Sequence, residues 1–268
     1  SEETSSKHVQ WEFHDLLMHT RSRLGQFGNK LGATYRFQGK ISPPPALNPP
    51  KASLRTITLN RPDLEAVAER DPSLTSVIET RQSLRGHGRG GEARAVGGLS
   101  ELLFRVARVK KTSSHGHMEF AHRPYPSGGA SYETEFYVTA NRCAGLDRGF
   151  YYYDPFDHSL RKLAHPNPDM EALLTEAWFA SAKTCIPQVL ITLASRFQRV
   201  SWKYEGMAYA TQSKNVGVIY AHLYLIATAM RLAPCGLGLG NSERFARLSG
   251  NDPLVESSTG EFAIGRIE

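Results

Sequence analysis

Val216, Ile219, Leu223, Ile226 and Met230 recur at steps of three and four. That spacing is the apolar stripe of a core helix, and it predicts one long helix from about Glu205 to Arg231. A helix of that length with such a face has to be covered by another layer, so the chain must supply a sheet or further helices to pack on it. The apolar run 216–230 is broken by Gly217, Tyr220, His222 and Tyr224, which makes it too short and too mixed to span a bilayer. A polar pair, Lys203-Tyr204, stands ahead of this helix, and Leu232-Ala233-Pro234-Cys235-Gly236-Leu237-Gly238-Leu239-Gly240 follows it. Lysine and tyrosine can hold or take a proton where a desolvated site tunes them. Closely spaced glycines let backbone N–H groups approach a flat or anionic ligand. A proton-transfer pair and a glycine-rich turn joined by one core helix have the makings of an enzyme site.

Upstream, the signals sort into an arm and a domain. Residues 1–60 open polar, offer a short helix at Trp11–Leu17, and turn irregular through Pro43-Pro44-Pro45 and Pro49-Pro50. Such proline spacing favours extended chain, so this arm is expected to wrap over a surface or trail as a tail. From Arg61 onward the chain reads as one domain, 61–268. Asp71-Pro72 is expected to cap a helix through Leu74, Val77 and Ile78, and Ser100 another through Leu102, Leu103, Val106 and Val109. Strands are expected at Glu135–Ala140, at Gly149–Tyr153 with its partner Leu160–Leu163 across the Asp154–His158 turn, at Gln188–Phe197 and at Glu261–Ile264. A helix is expected at Glu171–Phe179. The layout is α+β.

Charge is concentrated rather than spread. Nine Lys or Arg against three acids between Arg81 and Arg123 give a local excess equal to the +6 of the whole chain. A solvated basic face is the ordinary meaning of such a run; a phosphate-bearing cofactor, an acidic peptide or nucleic acid are the functional ones. Cys143, Cys185 and Cys235 are few and far apart, which argues for reduced thiols and a cytoplasmic protein. No segment has the order of a signal peptide, and a chain that begins at Ser1 reads as trimmed or cut from a longer polypeptide. His115, His117 and His122 fall in a stretch read as a polar loop, without carboxylate or cysteine at ligand spacing, so no metal is expected. The Arg-Gly run at 85–91 has no aromatic platform beside it, so no nucleic-acid partner is expected.

Three short motifs carry the chemistry. Arg81-Gln82-Ser83-Leu84-Arg85 offers a fork of donors suited to a phosphate and a polyol. Pro124-Tyr125-Pro126-Ser127-Gly128-Gly129-Ala130 is a turn before a strand that exposes backbone N–H groups. The glycines of Cys235–Gly240 follow a helix rather than a strand, which is the wrong order for a dinucleotide-binding Rossmann turn.

Taken in order with Tyr152-Tyr153-Asp154-Pro155, His158 and Leu160, with Lys203-Tyr204-Glu205-Gly206-Met207-Ala208-Tyr209, and with Glu256–Phe262, these motifs resemble the nitroreductase superfamily. More narrowly, the chain is similar to the SagB/ThcOx-type peptide dehydrogenases over about residues 71–265. The resemblance implies an α+β, nitroreductase-like FMN-binding fold with a mixed or antiparallel central sheet, flanking helices and a long core helix. It also implies a homodimer with two sites at the subunit interface. Arg81, Ser83 and Arg85 would hold the ribityl phosphate. Pro126, Ser127, Gly128 and Gly129 would reach the flavin from the partner subunit. Gly236, Gly238 and Gly240 would present N–H groups to its ring edge, and Arg266 would add a phosphate contact. Lys203 and Tyr204 would be the catalytic pair: one takes the Cα proton of a peptide thiazoline or oxazoline while a hydride leaves for the flavin, which oxygen reoxidises. The implied partners are an azoline-bearing peptide of a ribosomal natural-product pathway and a cyclodehydratase complex. Two departures stand out: Ala221 where the branch commonly has glutamine, and Arg231 where a glycine often precedes the Leu-Ala-Pro segment. A reductase using NAD(P)H on flavins or nitro compounds, and a non-catalytic scaffold, are the competing functions.

Overall fold

The computed structural model describes residues 9–25, 28, 30–86, 96–116 and 118–266. The Arg-Gly run beyond Gly86, Glu92, Arg94 and His117 lie outside the described residues. In chain order the elements are α1 (Phe13–Arg21), β1 (Arg55–Thr58), α2 (Leu64–Arg70), α3 (Leu74–Thr80), α4 (Val96–Ala107), β2 (Lys111–His115), β3 (Met118–His122), β4 (Thr134–Ala140), β5 (Gly149–Asp154), β6 (Ser159–Ala164), α5 (Pro168–Ala180), β7 (Val189–Arg196), α6 (Phe197–Ser201), α7 (Ala208–Ala229), β8 (Leu232–Leu237), α8 (Ser242–Ser249) and β9 (Glu256–Arg266). Seven strands make one sheet in the order β1-β6-β5-β4-β7-β9-β8, every pairing antiparallel. Strands β2 and β3 form a separate hairpin.

The sheet is covered on both faces, and the period-two alternation of side chains sorts its residues between them. Phe136, Val138, Ile191, Leu193, Phe262 and Ile264 pack with α4 and with Val216, Ile219 and Leu223 of α7. Their neighbours Tyr137, Leu190, Ala194 and Ala263 pack the other way, with Met170 and Leu173 of α5 and Phe245 of α8. Of the predicted stripe, Val216, Ile219, Leu223 and Met230 are buried and Ile226 is half-buried. The opposite side of α7, with Lys214, Gly217 and Ala221, is exposed. The helix is therefore a one-sided cover, and it starts three residues later than the sequence suggests, because the left-handed Gly206 (φ 72°) breaks the chain ahead of it.

Several local expectations are corrected. Ser73, not Asp71, caps α3, its hydroxyl accepting from Ser76 N–H; Asp71 instead ends α2 and is ion-paired with Arg105. Ser100 lies inside α4, buried, and donates to the Asn60 carbonyl at 2.6 Å. The stretch read as a polar histidine loop is the β2–β3 hairpin, whose turn at Gly116 (φ 59°) has the left-handed backbone glycine favours. The sequence conceals it because all five residues of β2 are exposed, so no alternation marks them. The glycine-rich turn after α7 begins as an edge strand: β8 takes in Gly236, with Pro234 tolerated because only β9 pairs with it. Arg231 takes φ 54°, the left-handed region where glycine costs nothing. The final strand is eleven residues rather than four.

The arm is tied to the body. Gly32 bridges Glu205, Ala46 is buried, and β1 is the outermost strand beside β6. Arg199, buried in α6, ties it to the body, its guanidinium donating to the carbonyls of Pro44 in the arm (2.8 Å) and of Glu119 (3.1 Å) and Ser131 (3.0 Å) beyond it. Arg196 donates to the Pro45 carbonyl at 2.9 Å and Trp202 to that of Ile41 at 2.7 Å. Among the described residues no helix is long and apolar enough to cross a membrane.

Candidate functional site

The sequence-predicted residues gather into two groups joined by α7. The first lies where the segment after α3 runs beside β8. Leu84 N–H donates to the Pro234 carbonyl at 2.9 Å, which holds Arg81–Arg85 along the open edge of the sheet. Tyr224, projecting from α7, ties the group together. Its hydroxyl accepts from Gly236 N–H at 2.7 Å and lies 2.8 Å from Ser83 Oγ, and its ring carries the Arg81 guanidinium 5.3 Å from its centre. Arg81, Ser83 and Arg85 are exposed. No carboxylate among the described residues lies within ion-pair distance of either arginine, so the fork is positively charged and open. Gly236 does not offer its N–H outward, since Tyr224 has taken it. Gly238 is exposed with open space where a side chain would stand, and Gly240 lies over the Glu261 carboxyl. Arg266 pairs with Leu232, at the far end of β8 from Gly236.

The second group surrounds the turn at 126–130. Pro126 is exposed, and Ser127 to Ala130 form a single 3-10 turn. Asn215 of α7 fixes it by accepting from Gly128 N–H at 2.9 Å while donating to Ser127 Oγ (3.2 Å) and to Glu133 (2.9 Å). Burial pushes the Glu133 carboxyl above its ordinary range, and the bonds from Asn215 and Ser127 oppose that shift. Gly129 has φ 62°, and a Cβ there would run into the Tyr204 hydroxyl. Only glycine satisfies both the backbone and that close approach. Lys203 completes the group, its ammonium donating to the Gly129 carbonyl at 3.3 Å. Lys203 and Tyr204 are half-buried, and the Lys203 ammonium lies 5.3 Å from the centre of the Tyr204 ring. Lysine and tyrosine are thus brought to the Gly128–Gly129 turn, whereas the Gly236–Gly240 turn that the sequence joined to the pair stands in the other group.

Asn215 and Tyr224 anchor the two groups nine residues apart on one helix, ~13 Å at 1.5 Å per residue. Neither residue is evident as functional from the sequence. Both are polar positions within an apolar helix, and such breaks in a stripe are the signal that could have found them.

Beneath Gly240 lies a third feature. Glu261 is 2% exposed and one of its oxygens has no hydrogen-bond partner among the described residues. Burial, reinforced by the nearby Glu176 carboxylate, pushes the Glu261 carboxyl up to about 8 from its ordinary 4.5. The folded state therefore keeps this proton at pH values where the unfolded chain has lost it. Stability should be greatest on the acid side and fall as pH rises from about 4.5 towards about 8, by at most about 1.4 kcal/mol per pH unit from this residue. Thermal unfolding of wild type and Glu261→Gln across that window checks it: the variant should show a shallower decline, with Glu133 and Glu135, also raised by burial, supplying what remains. Parallel curves would remove Glu261 as the cause.

The chain is 25% identical over 183 residues to the candidate nitroreductase MJ1384 of Methanocaldococcus jannaschii, covering 68% of this chain and 84% of that protein. It is 26% identical over 187 residues to the trifolitoxin-processing protein TfxB of Rhizobium leguminosarum bv. trifolii, covering 62% of this chain but only 46% of TfxB. Among solved structures, a candidate nitroreductase of Anabaena variabilis superposes with a TM-score of 0.62 at 22% identity, over 93% of this chain and 45% of that one. The E. coli microcin synthetase McbBCD complex, with truncated pro-MccB17 bound, contains a chain matching at a TM-score of 0.57 and 15% identity, over 97% of this chain and 96% of its own length. Both structures share the fold. Residues 103–266, which run from α4 to the end of the sheet and include the Pro126–Gly129 turn, the Lys203–Tyr204 pair and the β8 edge, match the model of the nitroreductase family, and the chain belongs to that family.

Proposed function

We propose that this chain is an FMN-dependent oxidoreductase that converts thiazoline or oxazoline rings of a peptide into thiazoles or oxazoles. One observation carries the reading: Lys203 and Tyr204 meet the Gly128–Gly129 turn, with the lysine ammonium 3.3 Å from the Gly129 carbonyl. A flavoenzyme that only passes electrons to a nitro group needs no base for carbon acid chemistry, whereas aromatising an azoline requires a Cα proton to leave with a hydride. Processing of trifolitoxin by TfxB and the microcin synthetase complex with its bound pro-MccB17 support a peptide as the substrate.

FMN is the cofactor, and the residues present fit it. Arg81 and Arg85, with no carboxylate partner among the described residues, would hold the phosphate; Ser83, kept in place by Tyr224, would bond the polyol. Gly238 and Gly240 would border the ring system. The Pro126–Gly129 turn would approach it from a second copy of the chain, in a homodimer with two sites. Bound FMN supplies the two-electron acceptor for the hydride that leaves the azoline ring. The protein's own work is then to orient the ring and remove the Cα proton, which would pass to Lys203 as the unprotonated amine or to Tyr204 as the phenolate. Loss of one proton and one hydride leaves the ring aromatic.

The visible spectrum of the purified protein tests the cofactor, and denaturation with identification of the released chromophore names it. Oxidised-flavin bands and released FMN are expected. Arg81→Ala/Arg85→Ala should weaken FMN binding by about 10²-fold, two charge-assisted contacts at about 1.4 kcal/mol each. A colourless protein that ignores added FMN would overturn the reading and favour a scaffold. The likeness to MJ1384 is the observation that favours a reductase; rapid bleaching by NADPH with turnover of a nitroarene, and none of a thiazoline peptide, would decide for it.

A further inference from the structure

Residues 32–36 of the N-terminal arm run against the chain that carries Lys203. Gly32 and Glu205 exchange both backbone hydrogen bonds, at 2.9 and 3.2 Å, and Tyr35 N–H donates to the Lys203 carbonyl at 3.2 Å. Thr34 Oγ1 donates to Glu205 at 2.9 Å, and Arg36 pairs with the same carboxylate at 3.6 Å. Gly206 closes the seam: with φ 72° and the Lys30 carbonyl 2.8 Å from where a Cβ would be, nothing larger fits. This strap delivers one aromatic ring to the site. Tyr35 lies with its ring centre 5.8 Å from the Lys203 ammonium and edge-on to Trp202 at 6.1 Å. It does so at φ 49°, a left-handed conformation that is costly for a bulky residue and that the surrounding hydrogen bonds hold in place.

We propose that Tyr35 is a positioning residue for Lys203, so that the N-terminal arm forms one wall of the site. Lysine has four rotatable bonds and a strongly hydrated head, and half-exposed it would sample solvent. Here three groups surround the ammonium: the Gly129 carbonyl, the Tyr204 ring and the Tyr35 ring. The first two belong to the site already described; the third comes from some 170 residues earlier in the chain. An aromatic face attracts the ammonium, which adds a third contact holding Nζ beside the turn. The proposal rests on Lys203 being the site lysine, but its test does not depend on the substrate.

Trace acetylation of the flavin-loaded full chain with acetic anhydride, mapped by mass spectrometry, reports the reactivity of each lysine. Tyr35→Leu, which keeps bulk but loses the π face, should raise Lys203 labelling by about three- to fivefold relative to the other lysines. Tyr35→Phe should restore the wild-type value. Thr34→Ala, which loosens the strap that carries the ring, should raise labelling in the same direction and by less. Equal labelling of Lys203 in wild type and Tyr35→Leu would overturn the proposal. So would Tyr35→Phe matching Tyr35→Leu, since the ring would then not be the cause. Turnover of a short thiazoline peptide runs alongside: a Tyr35→Leu loss confined to kcat, restored by Tyr35→Phe, supports positioning. A wild type that leaves the thiazoline untouched, while Lys203 labelling still follows the Tyr35 ring, would remove the azoline reading and leave the positioning role standing.

Discussion

Lys203→Ala should remain folded and flavin-loaded while its oxidation of a thiazoline peptide falls by about 10²–10⁴-fold, the usual worth of a positioned general base. The separation follows from the two-group layout. Among the described residues Lys203 makes one side-chain hydrogen bond, to the Gly129 carbonyl, and its half-exposed position lets water replace it. The residues proposed for the phosphate and polyol of FMN, Arg81, Arg85 and Ser83, belong to the other group, on a segment held by Tyr224 and, through Leu84, by the Pro234 carbonyl. Released FMN per chain and turnover, measured on the same preparation, check it. Unchanged turnover would take Lys203 out of the chemistry. Joint loss of flavin and turnover would make it a structural residue of the turn. Tyr204→Phe is the companion variant: it keeps the ring under Gly129 and deletes the hydroxyl, so the more damaged of the two variants identifies the base.

Arg199→Leu should be the most destabilising single change near the site, by at least about 3 kcal/mol, because three carbonyls lose their donor at once. Burial lowers the Arg199 guanidinium to about 10, with Arg196 adding like-charge repulsion, yet it remains charged at neutral pH. Its five donors in a planar fork are what allow one side chain to tie the arm at Pro44, the β3 strand at Glu119 and the end of the glycine turn at Ser131. Arg199→Lys should recover little, since a single ammonium cannot reach three divergent acceptors. Urea unfolding gives the loss. Limited proteolysis gives its location: cleavage in residues 30–48 should precede cleavage elsewhere. An unchanged urea midpoint, or first cleavage in another segment, would show that the arm is held by other contacts.

What could be read from the sequence depended on how locally each feature is encoded. The strands β4, β5 and β7 were legible because continuous burial leaves apolar runs with clear ends, and the helix α5 because its buried Met170, Leu173, Leu174 and Ala177 recur at helical spacing. The β2–β3 hairpin was not, since its exposed polar face carries no alternation. Nor was α8, a short polar helix capped by Asn241 and inserted just after the glycines. Within the site, Lys203, Tyr204 and the glycine turn stood out as motifs. Asn215, Tyr224, Arg199 and Tyr35 did not, because each acts on a partner distant in sequence.

The sequence by itself determined the family, the α+β layers and the residue types at the site, since periodicity and short motifs are local properties of the chain. Only the tertiary structure decided that the motifs form two groups on one helix, that a tyrosine occupies the Gly236 N–H, and that the arm brings Tyr35 to Lys203. Those facts rest on hydrogen bonds and ring contacts between segments 12 to 170 residues apart, and such contacts exist only once the sheet has fixed where each segment ends.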